Sequence, residues 1–402
     1  MKILHTADWH IGKKLHKQDL FSDFDYFIDW LVKCIQENKI DLVLVSGDVF
    51  DLANPSHEAK TQYYQSLLKL KSLGIQLIIT GGNHDSPSML NAPKKLLAEM
   101  NIHIIGGMPE NPIEALIPIT DQTGNVKLVV AAVPYLRNTD IQHQEIAKNY
   151  EERLERLKQG ISLHFNNLAK LAKEKYSSVP CIAMGHLFAK GVSTSESERD
   201  IQIGNQAGIE ASQFGDYFNY IALGHIHQPQ QVKSNTPIYY SGSPIQLSFS
   251  ERKDQKRVLM LDTKQGFQPI SIPIPSFRKL IKIKGSFESV KNQLKTLPEP
   301  SKLKNLIEIE LTEKAYQPSL TFKLNELIEG FNEPKFEIVK HRIYFEEVQN
   351  QLGDTEAKSQ QLEELQAKEV FDKKLNEVKL GVKERKLVEL AFTELLNEIE
   401  ES

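Results

Sequence analysis

Five short stretches share one design: an apolar run, a glycine or small residue, then side chains that carry oxygen or imidazole donors. They are HTADWHIG with Asp8 and His10, VSGDVFD with Asp48, GGNHDSP with Asn83, His84 and Asp85, MGHLF with His186, and LGHIHQP with His225 and His227. An ordinary turn accounts for the glycines, Asn83, Asp85 and Pro87, but not for a histidine set between an amide and a carboxylate. Counted as ligands, two carboxylates (Asp8, Asp48), one amide (Asn83) and four imidazoles (His10, His186, His225, His227) are too many for one tetrahedral ion. They suit two ions of five or six coordination, and a set without thiolates favours manganese, iron or zinc over thiophilic metals. Two such ions about 3.5 to 4 Å apart clamp a phosphate and make water a nucleophile at neutral pH. In that scheme Asn83 supplies a neutral oxygen and the glycines let the backbone pass near the ions. His84 faces the substrate and assists the leaving oxygen, while Asp85 fixes its tautomer and keeps it cationic.

Singly, each residue has a plainer reading: a strand-end Asp caps a helix or forms a turn, and a lone His186 is a hydrogen-bonded, half-buried histidine. The ordered set is what carries chemistry. Sites in open α/β sheets gather beyond the carboxyl ends of strands, where five such ends converge in one crevice. In extended chain, residues i and i+2 point the same way, which pairs Asp8 with His10 and His225 with His227.

The elements that position these ends read as a layered α/β domain. KILHTAD, DLVLVSGD, IQLIIT, VKLVVAAVPY, CIAMGH, YIALGH and RVLML are strands; Phe24, Phe27, Ile28, Leu31 and Ile35 recur at helical spacing, and Leu67, Leu68 and Leu70 mark a second helix. Residues 145–176 read as a charged helical excursion broken at Gly160, and ISIPIPSF as a linker. Three parts follow: 1–275 with all the donors, a strand-helix-strand-helix-strand domain at 276–350, and a linker with a helical tail at 351–402. In the tail Val388, Phe392, Leu395 and Ile399 fall on one helical face. Residues 354–402 hold 13 acidic and 8 basic side chains, so the overall charge of −4 leaves residues 1–353 at +1 and a local basic patch for nucleic acid remains open. Two distant cysteines, Cys34 and Cys181, exclude a disulfide framework and fit a reducing cytoplasm. The sequence shows neither a signal peptide nor a membrane span.

The ordered elements D-x-H, G-D, G-N-H-[DE], H and G-H-x-H resemble the signature of the calcineurin-like metallophosphoesterases. Longer stretches, ILHTADWHIGKKL, VSGDVFDLANPS, GHLFAKGVSTSESERDIQIG, YIALGHIHQPQ and YYSGSPIQLSFSE, resemble the SbcD branch, the nuclease subunits of bacterial SbcCD complexes. The likeness spans the chain and is strongest over roughly its first 280 residues. It implies a layered β-sandwich flanked by helices, a smaller α+β capping domain that recognises DNA, and C-terminal helices. It implies that Asp8, His10, Asp48 and His227 hold one divalent ion, Mn²⁺ by preference, that Asp48, Asn83, His186 and His225 hold the other, and that His84 is catalytic. Other branches place a second histidine where this chain has Asp51, which therefore receives no catalytic role.

The implied activity is hydrolysis of DNA phosphodiesters in replication, recombination and repair, by a 3′-to-5′ double-strand exonuclease and single-strand endonuclease that opens hairpins. The implied partners are an SbcC-like ATPase, DNA and a second copy of the chain, with the tail docking on the base of the SbcC coiled coil. The absence of G-x-x-x-x-G-K-[ST] leaves ATP to that partner. Two readings compete: a small-molecule phosphodiesterase or phosphatase on the same metal clamp, and a DNA-binding scaffold with structural metals. The carboxyl-terminal extension speaks against the first and the intact Asp8, Asp48, Asn83 and His84 against the second.

Overall fold

The computed structural model describes residues 1–345 apart from 122, 142–149, 196, 200, 202–207, 316 and 318, together with residue 375. Apolar runs from the first 273 residues build two six-stranded sheets. One has the order Ile270–Pro273, Arg257–Asp262, Lys2–Thr6, Leu42–Ser46, Gln76–Thr80, Ile102–Ile105; the other runs Gln230–Val232, Ile238–Tyr240, Tyr220–Gly224, Cys181–His186, Val126–Ala132, Leu116–Thr120. Four neighbouring strands in each sheet are parallel. Parallel strands are covered on both faces, which is why they read as unbroken apolar runs.

Alternate residues of each strand go to different layers. Ile3, Leu42, Leu44 and Ile78 of the first sheet meet Leu128, Val130, Ile182, Met184 and Ala222 of the second in a central core. On the outer face of the first sheet, Leu4, Val43, Val45, Leu77 and Ile79 pack with Phe24, Phe27 and Leu31 of helix Phe21–Asn38 and Tyr63 and Leu67 of helix His57–Lys71. Val129, Ala131, Ala183 and Leu223 of the second sheet pack on Leu157, Ile161 and Phe165 of helix Tyr150–Lys175. The result is a helix-sheet-sheet-helix sandwich with the carboxyl ends of its central strands left free for side chains.

Helix Tyr150–Lys175 runs unbroken through Gly160. A side chain there would collide with Ile141, so the glycine serves close packing and does not end the helix. ISIPIPSF is not a linker throughout: Ile270–Pro273 is an edge strand paired antiparallel with Arg257–Asp262, a place where proline is tolerated because one side of the strand needs no donors.

Beyond it, strands Leu280–Gly285, Asn305–Glu313 and Phe336–Phe345 form a three-stranded sheet in chain order, with helices Phe287–Lys295 and Ser319–Glu329 between them. The chain divides into two compact units. One comprises Met1–Ile283, Thr296–Ile309 and Phe331–His341, and the other Lys284–Lys295, Glu310–Gly330 and the described residues from Arg342. No helix among the described residues is long and apolar enough to cross a membrane. The expected tail anchors Val388, Phe392, Leu395 and Ile399 lie outside the described residues.

Candidate metal centre

The donors stand at the ends of five strands in the two sheets. Asp8 and His10 follow Lys2–Thr6, Asp48 follows Leu42–Ser46, Asn83 and His84 follow Gln76–Thr80, His186 closes Cys181–His186, and His225 and His227 follow Tyr220–Gly224. The chain is not extended here. Asp8, His10, Asp48 and His225 take φ values of 54°, 45°, 47° and 102°, so the pairs Asp8/His10 and His225/His227 converge through left-handed turns and not through strand alternation. Such backbone costs on the order of 1–3 kcal/mol per residue and persists where surrounding bonds over-determine it. Those bonds are present: Asp8 N–H to the Gly47 carbonyl at 3.1 Å, His10 N–H to the Asp48 carbonyl at 3.0 Å, His225 N–H to Asp8 Oδ1 at 2.8 Å and His84 N–H to Asp48 Oδ1 at 2.9 Å. A Cβ on Gly82 would strike the Asp48 carboxylate, and one on Gly224 the Ser46 carbonyl.

Ligand atoms gather in overlapping clusters, Asp8 with His10 and His227, His10 with Asp48 and His84, and Asp48 with His186 and His225. His10 Nε2 lies 3.0 Å from His227 Nε2 and 3.5 Å from Asp48 Oδ2. His186 Nε2 lies 3.4 Å from Asp48 Oδ2 and 2.9 Å from Asn83 Oδ1. Donors in adjacent positions around one ion at about 2.1 Å stand about 3.0 Å apart, the spacing found here.

The tautomers sharpen the point. Nδ1 of His10 faces the Asp51 carboxylate at 3.2 Å and Nδ1 of His186 the Ser46 carbonyl at 3.0 Å, so each ring carries a proton there and turns Nε2 inward. Nε2 of His10 and Nε2 of His227 face each other across 3.0 Å, a pair of acceptors that needs a proton or a metal ion between them. Asp8 Oδ2 and His225 Nε2 are buried with no hydrogen-bond partner among the described residues. Burial pushes the Asp8 carboxyl up to about 7 and holds the His10 imidazole down at about 4. Burial also disfavours charge on His186, but the Asp48 carboxylate outweighs it and lifts that imidazole to about 9. A buried acceptor set that strains to bind protons fits divalent cations.

Residues 1–229, more than half of the chain, match the calcineurin-like phosphoesterase family, and residues 276–379 match the type 5 capsule protein repressor C-terminal domain. The SbcD component of the SbcCD nuclease of Escherichia coli (strain K12) is 30% identical over 404 residues, covering 99% of this chain and 98% of that protein. The chain belongs to the SbcD family of calcineurin-like phosphoesterases. The SbcD protein of Rhodobacter capsulatus is 34% identical over 284 residues, 68% of this chain and 69% of the relative, and that of Bacillus subtilis 33% over 273 residues, 66% and 67%. The family fold implies divalent metal ions, and the clusters above are where this member offers donors for them.

Two expectations about the GNHD turn need correction. Asp85 does not hold the His84 tautomer: its carboxylate accepts the backbone N–H groups of Gly82 at 2.8 Å, Phe50 at 2.9 Å and Val49 at 3.0 Å. One residue past the turn, its side chain points back into the body of the loop, and the His84 Nδ1 finds the Asp51 carbonyl at 2.7 Å. Nor is His84 kept cationic, because burial lowers its pKa from the ordinary histidine value. Asp85 is a clamp that ties the Asp48 loop to the Asn83 loop. Asp85→Ala is expected to leave three buried donors unpaired and to lower stability by about 3 kcal/mol or more. Thermal unfolding of the metal-free protein checks this, and an unchanged midpoint would refute the clamp.

Sequence reasoning left Asp51 without a role and did not single out Ser197, Glu198, Glu251 or Lys256. Asp51 bonds the His10 imidazole and Lys13 Nζ, the latter at 3.1 Å. Burial opposes its charge, yet His10 and Lys13 hold the carboxyl well below its usual range. Since His10 itself stays neutral, the contact is a neutral N–H on a carboxylate. Glu198 accepts the His227 N–H, and Ser197 and Glu251 meet the His227 ring. Arg137 Nη2 donates to the Asp85 carbonyl beside His84.

Proposed function

We propose that the chain is a divalent-metal-dependent nuclease subunit that hydrolyses DNA phosphodiesters. The observation that carries this reading is the run of three overlapping buried acceptor clusters linked through His10 and Asp48, set in a chain that is similar over nearly its full length to the SbcD component of an SbcCD nuclease. Asp8, His10, Asp48 and His227 would hold one ion, and Asp48, Asn83, His186 and His225 the other. Four imidazoles among seven donors favour Mn²⁺ over Mg²⁺, which prefers octahedral oxygen. Two bound ions neutralise phosphate charge and bring the pKa of water toward about 7.

The chain's own contribution centres on His84. Its Nδ1 proton is pinned by the Asp51 carbonyl and its main-chain N–H by Asp48, so Nε2 faces the reacting phosphate. The anionic substrate raises its proton affinity, and His84 then gives a proton at Nε2 to the departing oxygen. The substrate classes are double-strand ends, hairpins and single strands, with an SbcC-like ATPase as partner and residues 276–350 as the DNA-recognition domain of a homodimer. Buried, free Cys34 and Cys181 support a reducing compartment, the cytoplasm.

The test uses the full chain with a chromogenic diester and with hairpin DNA, in each case with and without the ATPase. Dialysis against EDTA is expected to abolish both reactions, and Mn²⁺ to restore them better than Mg²⁺. Full activity in EDTA refutes the two-metal reading, and diester cleavage without DNA cleavage in any combination points to a small-molecule phosphodiesterase.

A further inference from the structure

The stretches GVSTSESERD and YYSGSPIQLSFSE lie far apart in sequence, and neither contributes a donor to the clusters. They meet at His227. Its Nδ1 stands 2.6 Å from the Ser197 hydroxyl, which in turn donates to Glu251 Oε1. The other oxygen, Oε2, receives Lys256 Nζ at 2.6 Å and the Leu247 N–H at 3.2 Å. Lys256 Nζ also donates to the His227 carbonyl at 2.9 Å and to Ser243 Oγ at 2.9 Å, and the Ser243 N–H reaches the same carbonyl at 3.1 Å. The ring closes on the residue where it began. With Glu198 accepting the His227 N–H at 2.8 Å, His227 is gripped at its amide, its carbonyl and its imidazole.

Stability alone does not explain this arrangement. Glu251 is 0% and Lys256 5% exposed, and a buried ion pair gains little over apolar residues of the same volume. What the pair supplies is direction. Because the Ser197 hydroxyl proton is committed to Glu251, its oxygen can only accept from Nδ1 of His227. That leaves the imidazole proton on Nδ1 and the electron pair on Nε2, the atom that faces His10 across 3.0 Å. Lys256 keeps Glu251 charged and therefore an acceptor, and burial shields the chain of bonds from exchange with water.

We propose that Ser197, Glu251 and Lys256 form a positioning relay that fixes the His227 tautomer and turns Nε2 toward the first metal position. The relay rests on the metal reading above. Hydrogen-bond acceptors behind a ligating histidine typically affect metal affinity by about 10- to 100-fold.

The test is calorimetric titration of the metal-free full chain with Mn²⁺, which reads binding without any substrate. Ser197→Ala is expected to weaken one of two binding steps by about 10- to 100-fold while the other step and the metal-free unfolding midpoint stay at wild-type values. Ser197→Thr, which keeps the hydroxyl, is expected to recover most of that affinity. Glu251→Gln is expected to weaken the same step further; should it fail to fold, the Ser197 variants decide, since that residue sits half-buried in a loop. Wild-type affinity at both steps in Ser197→Ala overturns the relay, as does a fall in unfolding midpoint with unchanged affinity, the mark of a merely structural role. If the unmodified chain takes up no Mn²⁺, the metal reading itself fails and the relay with it.

Discussion

Asp48→Ala is expected to remove both metal positions at once and to leave no measurable phosphodiester hydrolysis. Asp48 Oδ2 is the carboxylate oxygen common to the two sides, 3.5 Å from His10 Nε2 and 3.4 Å from His186 Nε2. Asp8 and His227 lie on one side only, and His186 and His225 on the other. The loss therefore differs in kind from that at His225 or His227, where one ion should remain. Asp48 Oδ1 also accepts the His84 N–H, so the same substitution frees the turn that presents His84. Elemental analysis should fall from about two ions per chain to none, and turnover by about 10⁴ or more, equivalent to about 5.5 kcal/mol of lost transition-state stabilisation. Retention of two ions with turnover within about tenfold of wild type would sink the shared-carboxylate assignment.

The donors could be read from the sequence because their spacing is local. A parallel strand buried on both faces announces itself as an apolar run, and whatever polar residue follows it stands at the sheet's carboxyl edge. Asp8, Asp48, Asn83, His186 and His225 all follow that rule, and the structure brings all of them close together. What failed was the local geometry. Four of the donors sit at positive φ, which Asp and His tolerate better than most residues but which no sequence period reveals, and Asp85 turns away from its neighbour to serve three amides from two loops.

Short elements were also missed. Ile102–Ile105, Leu116–Thr120 and Ile238–Tyr240 span only three to five residues, too few for a period to register. The groups behind the donors were invisible for a different reason. Ser197 and Glu251 reach His227 across 30 residues and roughly 24 residues of chain respectively, so only tertiary packing gives them meaning.

His84→Gln is expected to keep the metals and lose the rate. The His84 ring stands edge-on to His10 with centroids 4.7 Å apart, so it borders the clusters, yet its fixed contacts are to backbone and not to a second carboxylate. Its ligand atom also falls within reach of His10 and Asp48, which makes coordination the rival role. The two roles separate cleanly by measurement. As a proton donor, His84 contributes about 10² to 10⁴ in rate, so kcat should fall by that factor with KM little changed and about two ions still bound. The pH-rate profile should lose its alkaline limb, since the acid that must stay protonated through the reaction is gone. As a ligand, His84 would take an ion with it, and activity would return on raising Mn²⁺. Recovery at high metal concentration would therefore transfer His84 to the ligand set, whereas a flat response to metal together with the missing limb would fix it as the acid that releases the leaving oxygen.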